Sequence, residues 1–134
     1  MKKKLTILFF LFSSSLHANE DLTGKFLLCP KLLWGFEFIS FNKVNVVDTD
    51  INNVTQVNQY YYETDSKLPY INLYIVENNI KNLVYSIHNK TLRVDIWTMT
   101  SGGITTREII PRDFCKNVKI DNILDYIEGL KNIN

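Results

Sequence analysis

From Lys25 to Ile110 the apolar residues of this chain recur at every second position, in short runs interrupted by Asn, Asp, Gly and Pro. Successive side chains of an extended strand point to opposite faces, so this period predicts strands with one face on a core and one in water. The expected strands, about eight, are 25–29, 34–40, 43–48, 56–64, 70–76, 81–88, 91–98 and 104–110. The clearest case sets Leu92, Val94 and Ile96 against Arg93 and Asp95. Turns fall at Phe41-Asn42, Asn78-Asn79 and His88-Asn89-Lys90, because asparagine tolerates positive φ. Links this short predict an all-β, up-and-down antiparallel meander, since parallel pairing needs a long crossover. The link at 48–53 is longer and polar. Beyond Pro111 the spacing changes: Ile120, Ile123, Leu124, Ile127 and Leu130 stand three or four apart, predicting an amphipathic helix over 120–131 capped by Asp121. Its apolar stripe should cover the outside or an open end of the sheet, as a lid or a buttress.

The chain begins with Met1 and Lys2 to Lys4, an apolar run from Leu5 to Phe12, then Ser13 to Ser15 and Ala18. This order matches the basic, apolar and small-residue regions of a secretory signal, and the run is too short to span a bilayer. A leader over 1–18 is expected, with cleavage after Ser15 as the alternative, and the protein is expected in the periplasm or secreted. A lipid anchor is not expected, because Cys29 lies far beyond the apolar run and follows Leu28. Of 134 residues, removal of 18 leaves 116 (19–134), room for one domain with one core. Lys+Arg falls from 15 to 12 against 14 Asp+Glu, so the net charge becomes −2. Nucleic acid is not an expected partner, because no block of basic residues tracks phosphates. No later stretch is long and apolar enough to cross a membrane.

An exported chain keeps Cys29 and Cys115 in an oxidising compartment, so a disulfide is expected. It would close a loop of roughly 85 residues and, by limiting the unfolded ensemble, contribute about 4 kcal/mol. A catalytic thiol would want a histidine partner and zinc would want more ligands, yet His88 alone follows the leader. Joining the first strand to the segment after the last brings the sheet's edges together. A closed or half-closed barrel is therefore expected, with an open twisted sheet on the helix as the alternative.

Several residues could carry chemistry. His88 with Asp95 and one of Ser40, Ser86 or Ser101 would imitate a hydrolytic triad, but no nucleophile motif surrounds these serines, and a turn histidine is the plainer reading. No convergent acid, base and nucleophile is visible, so an enzyme is not expected, nor is a cofactor. Asp48, Asp50 and Asn52 open like a calcium loop, with Asn53 at the tight turn. The twelfth position is Gln59 and the flanks read as strands, so an Asx-rich turn is preferred and no metal is expected. Trp34, Phe36 and Phe38 share one face of the second strand, Tyr60 and Tyr62 one face of the fourth, and Tyr70 and Tyr74 one face of the fifth. These aromatics either fill a core or wall a ligand cavity. Glu37, Arg93 and Arg107 are the candidate polar anchors of such a cup, with a solvated surface as the alternative.

Leu22-Thr23-Gly24-Lys25-Phe26, at the entrance of the first strand, resembles the G-x-W opening of lipocalin-like (calycin-type) barrels, with Phe26 in the tryptophan position. Thr64-Asp65-Ser66 is similar to the family's T-D-Y, with serine for tyrosine. Tyr85 to Leu92 resembles the Y-x-I-x-R-x-T-L hairpin of small exported bacterial proteins, with Asn89 for the arginine, and implies no activity. The resemblance implies a meander barrel followed by a late helix. The function expected is an exported module binding a small apolar or amphipathic ligand between aromatic walls, a reading that a filled interior would sink. The alternative is a protein-interaction domain, an envelope-assembly factor or enzyme inhibitor, using Tyr60 to Tyr62 and the loop at Asp48.

Overall fold

Alternation does produce strands. The computed structural model describes residues 20–65, 67–99, 102–103 and 105–133; the expected leader, Ser66, Ser101 and Ile104 lie outside them. Among the described residues there are nine strands: β1 (Phe26–Cys29), β2 (Trp34–Phe38), β3 (Lys43–Thr49), β4 (Thr55–Thr64), β5 (Tyr70–Glu77), β6 (Ile80–His88), β7 (Val94–Met99), β8 (Thr105–Ile110) and β9 (Lys116–Val118). One α-helix, α1 (Ile123–Lys131), follows. Each strand from β1 to β7 pairs antiparallel with the next, and β9 pairs antiparallel with β1, giving the order β8-β7-β6-β5-β4-β3-β2-β1-β9. The sheet curls into a half-barrel, which decides between the closed and half-closed alternatives.

All eight expected strands form, and the largest shift is in β7, which starts at Val94 rather than Thr91. The cause is local. His88 N–H donates to Arg93 O at 2.9 Å and Leu92 N–H to His88 O at 2.8 Å, and Leu92 takes φ 60°, so residues 89–93 are spent on the turn. Between β5 and β6, Asn78 and Asn79 have φ 51° and 62°, the pair of positive values that a tight primed hairpin requires. β9 is the strand the alternation does not announce, being three residues without a pattern of their own. It is held as an edge strand, with Phe26 opposite Val118 and Leu28 opposite Lys116, and by the Cys29–Cys115 disulfide at its entrance.

Registers define two faces. Leu27, Phe36 and Val46 stand in one cross-strand row, and Tyr62, Leu73, Tyr85 and Ile96 in another. Both rows point to the concave side, where the main core lies. Removing each such large side chain from water stabilises by about 1.5–3 kcal/mol. A second core forms on the convex side, where Ile123 and Ile127 of α1 close over Leu28 and Val47. The helix is thus a buttress on the outside. It begins at Ile123 rather than 120, capped by Asn122 rather than Asp121: Asn122 Oδ1 accepts from Asp125 N–H at 3.1 Å, while Ile120 precedes the helix and packs against this second core. At its other end Lys131 Nζ donates to Asn53 O at 2.8 Å.

Candidate functional site

The aromatics of β2 and β4 meet on the concave side. Trp34 lies 4.8 Å from Phe36 and 5.4 Å from Tyr85, Tyr60 lies 5.5 Å from Tyr85, and Phe38 meets Tyr62 edge-on at 5.0 Å. Rings at these separations pack against each other, so the interior at this level is filled. Tyr62 also ties down the start of the domain: its hydroxyl accepts from Leu22 N–H at 3.0 Å and donates to Ser40 O at 2.7 Å. Tyr85, which the alternation did not single out, sits at the centre of this group, and burial pushes its hydroxyl well above the usual tyrosine range.

The other expected site residues point elsewhere. Tyr74 stands on the convex face, stacked on Tyr61 at 6.0 Å and hydrogen-bonded through its hydroxyl to Glu63 Oε1 at 2.8 Å. Lys81 completes that group and holds the Glu63 carboxyl below its ordinary range. Glu37 lies in the convex row of Phe26 and Asn45. Arg93 and Arg107 flank Asp95, itself 3% exposed, with Arg93 Nε 3.1 Å from Oδ1 and Arg107 Nη1 3.8 Å from Oδ2. The closer contact is an ion pair not aligned as a hydrogen bond. Arg107 also covers the Trp97 ring at 5.5 Å, and Trp97 Nε1–H donates to Ser86 Oγ at 3.2 Å. These charged residues therefore stitch the outside of β6, β7 and β8 together.

A cleft of about 720 Å³ opens at one end of the half-barrel, between β1 with β9 on one side and β5 with β6 on the other. One wall is β1 and β9, contributing Leu27, Asn117 and Val118; the other is formed by Ile71 of β5, Ile87 of β6 and Leu92 of the following turn. Phe38 forms part of the lining, the only one of the expected aromatics to do so. The polar groups are three lysines, Lys25, Lys90 and Lys119, with Asn89, Asn117 and Glu20. A volume of this size lies within the range of small-molecule sites, about 300–1,000 Å³, and an apolar lining with a few polar groups is their usual composition. Lys25 was legible as a member of this face, because it shares the parity of Leu27; Lys119 was not, because it follows the unannounced β9.

The β6–β7 turn shapes one rim. His88 Nδ1 accepts from Lys90 N–H at 3.3 Å and Thr91 N–H at 3.1 Å, and its ring lies edge-on to Tyr70 at 5.4 Å. His88 is therefore a turn organiser, and among the described residues no serine of a triad converges on it: Ser86 Oγ donates to Asn72 Oδ1 at 2.8 Å, and Ser40 Oγ accepts from Lys43 N–H at 3.1 Å. In the 48–53 loop, Asp50 Oδ1 accepts from Asn52 N–H at 2.8 Å and Val54 N–H at 2.9 Å, while Asn53 takes φ 64°. That is Asx-turn geometry. Asp48 is half-buried, and burial first, then the charge of Asp50, raises its carboxyl above the ordinary range. Among the described residues no three His, Cys, Asp or Glu side chains are grouped as metal ligands.

Compared with known proteins, the chain matches no family model, no curated protein and no solved structure.

Proposed function

We propose that this protein is an exported binding module that holds one small amphipathic molecule in the cleft at one end of its half-barrel. The observation carrying this reading is the cleft itself: about 720 Å³, walled by Leu27, Ile71, Ile87 and Leu92, with its charges drawn from the rim. The aromatic interior is packed, which overturns the expected cup between aromatic walls at Trp34, Phe36 and Tyr60; the binding reading rests instead on the separate cleft beside Phe38 at the end of that core. The Cys29–Cys115 disulfide is consistent with an oxidising compartment, which supports the periplasmic or extracellular location. The lipocalin-like resemblance agrees with a ligand-binding β-sheet and adds no ligand identity.

The test is titration of the disulfide-bonded protein with the neutral apolar dye Nile red. Saturable binding at one site is expected, reduced at least about tenfold by Ile71→Trp or Leu92→Trp, both half-buried positions that can take a larger ring into the cleft. Unchanged dye affinity in both variants, with their melting transitions intact, would place the binding elsewhere and refute the reading.

A second reading, a protein-interaction domain, is favoured by Val57, Tyr61 and Leu83, which stay 47%, 39% and 43% exposed, and by Ile51, fully exposed in the 48–53 loop. Exposed apolar side chains grouped on one surface are a mark of partner contact. A photocrosslinker at Tyr61 should then give one reproducible adduct in the native compartment, lost in Val57→Lys. Diffuse labelling, unchanged by that substitution, would count against it.

A further inference from the structure

The cleft's charge is unlike that of the chain around it. The segment after the expected leader carries net −2, yet the cleft gathers three lysines against the single acid Glu20. They come from three separate places in the sequence: the entrance of β1, the β6–β7 turn and the exit of β9. Lys25 is the only one with an acidic partner, Glu20 Oε1 at 4.0 Å, and both of those side chains are more than half exposed. Lys90 and Lys119 have no acidic partner among the described residues. An unpaired ammonium group beside an apolar wall is poorly served by its own protein, and its field is stronger there than in open water because the apolar side excludes solvent.

We infer that the ligand is a single-chain anionic amphiphile, its carboxylate or phosphate head held by Lys25, Lys90 and Lys119 and its hydrocarbon tail laid along Ile71 and Leu92. This rests on the binding reading above and adds the sign of the head group. The geometry divides the work. Half-buried Ile71 and Leu92 offer the apolar surface for the tail, in front of the buried Leu27, Phe38 and Ile87, and Asn89 and Asn117 add neutral hydrogen-bonding groups beside the lysines. Lysine suits an anionic head at the end of a mobile chain, since its ammonium is a compact point charge and its stem adapts in length and direction. Phe26, on the other side of β1, packs into the second core with α1, so the strand carrying Lys25 is anchored from behind.

The experiment compares decanoate, decanol and decyltrimethylammonium by calorimetry on the disulfide-bonded protein, below their micelle concentrations. Decanoate should bind about tenfold or more tighter than the cation and tighter than the alcohol, with a preference that fades at high salt. The triple variant Lys25→Gln, Lys90→Gln, Lys119→Gln alters only solvated side chains; it should lose that preference while decanol affinity stays the same. Equal binding of all three compounds, or a triple variant that keeps the preference, overturns the head-group assignment and leaves the binding reading standing. Failure of every chain compound to bind overturns both. Anionic vesicles that retain the protein through these lysines, when decanoate monomer does not bind, would assign the anion to a membrane surface and overturn the proposal as well.

Discussion

Ile123 of α1 rests directly on Gly35 of β2: a Cβ built at Gly35 would come within 2.8 Å of Ile123 Cγ1 and 3.2 Å of the Leu27 carbonyl oxygen. The helix therefore approaches the sheet at a distance only glycine permits. Gly35→Ala should destabilise the fold by about 1–3 kcal/mol through overpacking. Combined with Ile123→Ala, the loss should be smaller than the sum of the two single losses, because truncating Ile123 removes the clash and the methyl added at position 35 fills part of the cavity that truncation leaves. Urea unfolding of the four proteins checks this; simple additivity would mean the helix moves aside freely.

Tyr62→Phe removes one hydroxyl that serves two backbone groups, Leu22 N–H and the Ser40 carbonyl. Leu22 is 4% exposed, so its N–H would lose a partner in a place with little water. A loss of about 1–3 kcal/mol is expected, together with faster hydrogen exchange at the Leu22 amide. Unaltered exchange there would show that the hydroxyl is not what holds residues 20–24 against the sheet.

His88→Ala takes the acceptor away from the Lys90 and Thr91 amides, and should cost about 1 kcal/mol of stability. Its larger effect should be on the cleft, since Lys90 and Leu92 belong to that rim. Dye affinity should fall in His88→Ala, whereas Tyr74→Phe, on the convex face, should leave it unaltered. A parallel fall in both would trace the loss to general loosening instead.

Asp48 gives the pH dependence its sign. A carboxyl whose folded-state value lies above its unfolded one binds its proton more tightly in the folded protein, so its charge weakens the fold at neutral pH. Asp48→Asn should therefore raise the melting temperature slightly at pH 7. The gain should shrink as pH falls through the raised folded value toward the ordinary 3.8 and vanish below it. A gain that grows on acidification would reverse the assignment.

The sheet was legible because a half-buried strand must alternate, and the concave set of Trp34, Phe36, Phe38, Tyr60 and Tyr62 follows from parity alone. What parity does not say is how far a sheet curls. That depended on β9, whose Lys116, Asn117 and Val118 carry no pattern and are placed by pairing to β1 and by a bond formed 86 residues apart. The cleft was hidden for the same reason, since its two walls meet only once β9 is in place. Glu37, Arg93 and Arg107 were visible as charges within apolar runs, but alternation assigns a residue to a face without saying which face holds a ligand; all three stand on the convex side.

The step from β8 to β9 sets the order in which this molecule can be completed. Counting the alternation of the ladder, β8 and β9 run in the same sense, so residues 105–118 act as one interrupted strand that leaves β7 and ends beside β1. The last strand thus finishes the first. While residues 116–131 are still being made, β1 has an unpaired edge and Leu28 and Val47 have no helix above them. Pairings this distant in sequence are entropically late events. A nascent chain of this protein is consequently an unsealed sheet until its final segment arrives, and the hydrocarbon-walled cleft comes into being only at that moment.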